Sequence, residues 1–202
     1  MSKLISWVSA SAFPIISAVT PLLVSSLSAP LQAAEVGTFS HQDIDRHTVV
    51  AVASPYGEGL HQLLVLQQLT NRQQCWAINS DGQTIEPLLL QFDFTGICGR
   101  ATDSNGYSIR MGGQDLGWRY SLQVVDRNGE RLLIGKSTSR KQQPELLIGR
   151  IIGTPNGFGK FEMEPGWRIT QRTFNGEKLG HYYFTHEKSL ASMTQQMSVV
   201  NR

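Results

Sequence analysis

The 202-residue sequence is short of charge at one end, short of cysteine throughout, and nowhere carries a run of five like charges. From Leu4 to Ala34 there is no ionisable side chain at all, and Lys3 is the only charged side chain before it. An apolar, serine-rich stretch behind one positive charge has the make-up of a secretory signal. Pro14, Pro21 and scattered serines keep it below the roughly 18 uninterrupted apolar residues of a membrane span. Stable membrane insertion after cleavage is therefore not expected, an uncleaved anchor being the alternative. Small residues in Pro30-Leu31-Gln32-Ala33-Ala34 place the cut after Ala33 or Ala34. No Arg-Arg pair precedes the apolar run and no cysteine sits at the cut, which argues against twin-arginine export and lipid anchoring. The expected organisation is a signal over residues 1–33, a β-rich domain over 34–186 and a tail over 187–202. The location to match is the periplasm or the extracellular space.

The absence of charge clusters excludes a second class of role. Eighteen Lys and Arg against sixteen Asp and Glu give a formal net charge of +2, and the signs alternate along the chain. Non-specific binding to nucleic acid needs clustered cations to displace counterions from phosphates. Nucleic acid is not an expected partner.

Cysteine is limited to Cys75 and Cys98. Neither has a second cysteine two residues away, so redox Cys-x-x-Cys and zinc-knuckle chemistry are both missing. In an exported chain the pair is expected to form a disulfide, two free buried thiols being the alternative. Such a bridge would stabilise the fold by on the order of 3 kcal/mol on the loop-entropy model.

What the sequence does have is strands and turns. Asp81-Gly82, Asn105-Gly106, Gly112-Gly113, Asn128-Gly129, Asn156-Gly157 and Asn175-Gly176 punctuate it, and Asp-Gly and Asn-Gly pairs readily take the φ > 0 geometry of type I′ hairpins. Between them lie strand-like segments at 47–53, 85–94, 107–111, 118–125, 131–135, 145–152, 157–163, 167–174 and 178–185. Residues 60–69 fit either a helix or a strand buried on both faces, and the strand is favoured because every neighbour is β. About ten strands joined by tight turns predict a mostly β fold, a single-domain antiparallel β-sandwich or barrel with tight hairpins. Residues 35–46 form a polar lead-in without clear period, 136–144 an exposed loop, and the tail a short amphipathic helix or a frayed end.

Several motifs taken together carry a resemblance. Ser54-Pro-Tyr-Gly, His61-Gln-Leu-Leu-Val-Leu, Cys75-Trp, Phe92-Asp-Phe-Thr-Gly-Ile-Cys-Gly-Arg100, Thr102-Asp-Ser-Asn-Gly-Tyr-Ser-Ile-Arg110, Gly113-Gln-Asp-Leu-Gly117, Pro144-Glu-Leu, Pro165-Gly-Trp167 and Leu179-Gly-His181 resemble a cyanobacterial family of exported proteins. It is catalogued as domain of unknown function 3747. The resemblance spans roughly residues 49–185 and implies a signal-bearing cyanobacterial protein. It brings no activity and no catalytic residues.

Residues 88–125 concentrate the polar chemistry. Nucleophilic catalysis needs a Ser or Cys with a His and an acid behind it, but no Gly-x-Ser-x-Gly elbow is present and the histidines show no metal-binding spacing. Asp103-Ser104-Asn105-Gly106 resembles the start of a calcium loop but lacks the closing acid. No metal or cofactor is expected. Asp93, Asp103 and Asp115 are the candidate catalytic acids, since glycoside hydrolysis uses two carboxyls about 5 to 9.5 Å apart. The simpler role for aspartates in turns is to hydrogen-bond the turn backbone. The favoured functional surface is the hairpin region 102–117 and its flank: Asp103, Asn105, Tyr107, Arg110, Gln114, Asp115 and Trp118. On strand alternation Tyr107, Ile109 and Met111 face inward, leaving Arg110 exposed. The expected role is a non-catalytic binding or interaction module of the cell envelope or extracellular matrix, with a polysaccharide or an envelope protein as partner. The alternative is a carboxylate-based glycoside hydrolase acting on cell-wall or extracellular polysaccharide.

Overall fold

Strands with apolar residues at alternate positions bury one face, and strands with continuous apolar runs bury two; both kinds occur here and together they fix the architecture. The structure is a computed structural model that describes residues 38–139 and 143–200, with side chains to 195. The expected signal segment lies outside the described residues. The described residues fall in one compact unit.

In chain order the strands are β1 (Phe39–Asp43), β2 (Val49–Tyr56), β3 (Leu60–Gln68), β4 (Ala77–Ile78), β5 (Thr84–Glu86), β6 (Cys98–Ala101), β7 (Tyr107–Met111) and β8 (Gln114–Asp115). They continue as β9 (Tyr120–Arg127), β10 (Glu130–Ser137), β11 (Leu146–Ile151), β12 (Phe158–Lys160), β13 (Glu162–Met163), β14 (Trp167–Phe174) and β15 (Glu177–His186), followed by helix α1 (Leu190–Val200). They make a five-stranded sheet ordered β1-β14-β15-β7-β8, a four-stranded sheet β13-β11-β10-β9 and a six-stranded sheet β4-β5-β12-β2-β3-β6. The result is a β-sandwich-like domain of curled sheets, as the strand and turn pattern predicts. Pairing is antiparallel except between β15 and β7, which run parallel with Tyr182 opposite Tyr107. This one parallel pair arises because β7 enters its sheet from another sheet, so no hairpin constrains its direction.

The three sheets share one core. It takes Val49, Ala51 and Ala53 from β2, Leu63 and Val65 from β3, Tyr107, Ile109 and Met111 from β7, Ile148 from β11, and Tyr182 and Phe184 from β15. The alternate residues Val50, Val52, Leu64 and Leu66 enter a second core with Cys75, Ile85, Leu89 and Cys98. Residues 60–68 are thus a strand, buried on both faces over Leu63, Leu64, Val65 and Leu66. The second core is closed by the Cys75–Cys98 disulfide, whose Cα atoms are 5.8 Å apart.

Local chemistry explains where the expectation and the structure part. Asn128-Gly129 and Asn175-Gly176 have positive φ at both residues and close two-residue hairpins, and Gly112-Gly113 does the same between β7 and β8. At residues 79–84 the loop is longer, because the Asp81 carboxylate accepts from the Gln83 and Thr84 amides. Asn105-Gly106 is no hairpin: Gly106 N donates to Asp103 O at 2.9 Å, and the turn carries the chain from the six-stranded to the five-stranded sheet. The strand expected over 85–94 ends at Glu86, because Pro87 lacks an amide to donate; a short 3₁₀ turn, Leu88–Gln91, then presses Leu89 into the second core. The lead-in supplies β1, whose burial is slight; an edge strand held by backbone pairing leaves little hydrophobic period to read. Ser189 caps α1 by accepting from the Ser192 amide, and Leu190 and Met193 pack on the main core.

Candidate functional site

The outer face of the five-stranded sheet is built by the residues that alternate with its core positions. On β7 these are Ser108 and Arg110; on β15 they are His181, Tyr183 and Thr185. Arg172 of β14, His41 of β1 and Asp115 of β8 join them, with His41 opposite Arg172 and Arg110 opposite Asp115 in register. Unlike an ordinary solvated face, this one is largely closed: Ser108, Arg110, His181 and Thr185 are buried and Tyr183 is 0% exposed.

Hydrogen bonds order the layer. His181 Nδ1 lies 2.8 Å from the Asn105 carbonyl oxygen, and its Nε2 lies 2.8 Å from Ser108 Oγ. A carbonyl only accepts, so Nδ1 carries the proton and Nε2 of the neutral ring accepts from the serine hydroxyl. Burial lowers the His181 pKa, and the Arg172 charge pushes it the same way, against the Asn105 bond and Asp115. Asp115 receives the Gly117 amide at 2.8 Å and the Tyr183 hydroxyl at 2.9 Å, while Ser108 Oγ, whose one proton goes to His181, lies 3.3 Å from it. Burial, with the Asp115 bond second, pushes the Tyr183 hydroxyl up to about 12. Arg172 reaches Asp115 only at 3.7 Å; its guanidinium lies 4.0 Å over the Phe39 ring and 5.6 Å from the Tyr183 ring. Arg110 stands 5.4 Å from the Tyr183 ring centre.

Ser108 against His181 is the contact a nucleophile and its base would make. Two features turn it into a structural tie. Both side chains are buried, and Gly117 lies so close above that a Cβ there would sit 3.1 Å from Ser108 Cβ. Sequence reasoning missed both Ser108 and His181. The signal was present in the polar members of strands whose other members are apolar, but alternation alone reads such positions as solvated.

A second feature lies beside this layer. Gln114, Arg119, Gln143, Ser189 and Thr194 line a cleft of ≈ 750 Å³ between the β7–β8 hairpin and α1. Trp118 is 80% exposed, and the Arg119 guanidinium sits 5.7 Å from its ring centre. Gln143 is held by the Tyr120 hydroxyl at 3.4 Å and by Arg119 at 3.5 Å.

The seven residues expected to form one surface are therefore divided. Gln114 lines the cleft and Trp118 stands exposed beside Arg119, which also lines it; Asp115 and Arg110 belong to the buried layer. Asp103 and Asn105 occupy the turn before β7, where only the Asn105 carbonyl reaches His181. Tyr107 is a core residue whose hydroxyl donates to the Leu63 and Thr102 carbonyls. Arg110 is 8% exposed, which corrects the expectation of an exposed guanidinium: β7 is an interior strand of its sheet, and Tyr183 on the next strand covers its outer face. The three candidate acids each cap a turn, since Asp93, Asp103 and Asp115 accept the amides of Thr95, Asn105 and Gly117. Asp93 is held below the usual carboxylate range by its bonds from Thr95. Among the described residues no three His, Cys, Asp or Glu side chains are grouped to hold a metal ion.

The model of the family described as a protein of unknown function, DUF3747, matches residues 15–189. The chain belongs to the DUF3747 family. No curated protein and no solved structure matches this DUF3747 chain. Among its described residues no helix is long and apolar enough to cross a membrane.

Proposed function

We propose that this DUF3747 protein is an exported, non-catalytic binding module of the cyanobacterial envelope or extracellular matrix that takes a polysaccharide in the cleft beside Trp118. The observation that carries the reading is the exposed Trp118 ring at Arg119, a residue that lines a cleft together with the amides and hydroxyls of Gln114, Gln143, Ser189 and Thr194 and the apolar Pro144 and Leu190. Sugar rings stack their C–H faces on such aromatics, and their hydroxyls pair with amides and guanidinium groups. Export is supported by the uncharged N-terminal stretch and the disulfide. The turn-capping roles of Asp93, Asp103 and Asp115 support binding over carboxylate-based hydrolysis, which needs one acid raised and one ionised.

The test incubates the purified chain with fractionated envelope polysaccharide and with peptidoglycan, and assays both retention and the release of reducing ends. Retention without release is expected, with retention falling at least tenfold in Trp118→Ala. Release of reducing ends that disappears in Asp93→Asn or Asp115→Asn would replace the reading with the hydrolase.

A further inference from the structure

Three buried nitrogens on the outer face of the five-stranded sheet have no hydrogen-bond partner: Arg110 Nε, Arg172 Nε and His41 Nδ1. They are close neighbours. His41 stands opposite Arg172 in the β1–β14 register, both guanidinium groups approach the Tyr183 ring, and the Arg110 charge bears on His41. An unsatisfied buried donor is costly, more so when charged, and two guanidinium groups at one ring repel each other as well. The carboxylate nearest by, Asp115, does not resolve this. It is engaged by Gly117 and Tyr183 and meets Arg172 only at 3.7 Å. Arg168, the other cation bearing on His41, is already paired with Asp43 and Glu187.

We propose that Arg110, Arg172 and His41 form a binding site for an oxyanion: a carboxylate, sulfate or phosphate group. The Nε–H of an arginine is one half of the edge that holds a carboxylate or phosphate with two parallel bonds, and here that half is unpartnered in both arginines. Tyr183 holds the two guanidinium groups in place by cation–π contact, so little side-chain freedom is lost on binding. The entry lies at the β1–β14 side, where the Arg172 side chain keeps 23% exposure and His41 is partly exposed. This site is separate from the Trp118 cleft, because Gln114 and Asp115 project to opposite sides of β8, and it does not depend on the polysaccharide reading.

The experiment titrates the full chain calorimetrically with sodium sulfate, inorganic phosphate and galacturonate, one at a time, at constant ionic strength held by chloride. Saturable binding of at least one is expected, and the strongest identifies the source of the group: a sulfate ester, a phosphate or an acidic sugar. Affinity should fall at least tenfold in Arg172→Gln and also in Arg172→Lys, which keeps the charge but loses the two-pronged edge. Lys136→Gln, exposed on β10 of the four-stranded sheet, removes one charge away from the site and should leave affinity within twofold. No saturable binding of any of the three anions to the folded chain would overturn the proposal. So would equal loss in Lys136→Gln, or full affinity in Arg172→Gln.

Discussion

In the six-stranded sheet, β2 and β3 send Val49, Ala51, Leu63 and Val65 to the shared core and Val50, Val52, Leu64 and Leu66 to a second apolar core. In the five-stranded sheet, β7 and β15 send Tyr107, Ile109, Tyr182 and Phe184 to the shared core, but turn Ser108, Arg110, His181 and Tyr183 outward into a closed polar layer. Both sheets bury two faces, and the second face differs in kind. An apolar second face gains free energy from burial and needs only a cover, which the disulfide-closed segment between Cys75 and Cys98 supplies with Leu89, Phe92 and Phe94. A polar second face must be satisfied bond by bond, and where it is not, as at Arg110 and Arg172, stability is not what those residues serve. The first region is a scaffold and the second is where a ligand can act.

Mutations can sharpen or break that contrast. Leu66→Ala, at a fully buried position of the second core, should cost about 2–5 kcal/mol, measured by urea denaturation. Replacing both cysteines by Ser should cost about 3 kcal/mol, and thiol titration of the unreduced native protein should find no reactive group. In the polar layer the effect should be smaller. Tyr183→Phe removes one bond to a carboxylate and should cost about 1.5 kcal/mol, since the Gly117 amide still serves Asp115. If Tyr183→Phe costs as much as Leu66→Ala, the layer is scaffold too.

The inward faces were legible because strand alternation and continuous apolar runs map directly onto burial: Tyr107, Ile109 and Met111 were placed inward, and residues 60–69 read as a strand buried on both faces. The turns with two positive-φ residues were legible for the same local reason. The parallel β15–β7 pair and edge strand β1 were not, since each depends on a partner far along the chain. Arg110 and His181 show the limit most clearly. Their positions on the strand were readable, but whether an outward residue meets water or a neighbouring strand's tyrosine is decided by sheet order.

The polar layer should also set the response to mild acid. Burial lowers the pKa of His41 and His181 in the layer, and of His61 and His186 outside it, below the ordinary value of 6.5. The unfolded chain therefore takes up protons below about pH 6.5 before the folded chain does. Stability should fall as pH drops from 7 toward 5, and His181→Gln should flatten that slope in melting curves recorded across the range. The smallest stability effect belongs to the cleft: Trp118→Ala should stay within about 0.5 kcal/mol of wild type, as exposed substitutions do.

Because Trp118 is 80% exposed while Trp167 is buried and Trp76 partly so, the part of the tryptophan emission that Trp118→Ala removes reports on the edge of the cleft. The deciding measurement titrates the full chain with oligosaccharides cut from the retained polysaccharide fraction and follows that emission. A saturable blue shift in the wild type that is absent in a folded Trp118→Ala variant, which also loses retention, is the expected result. Retention by Trp118→Ala at wild-type affinity would contradict it and remove the cleft as the binding site.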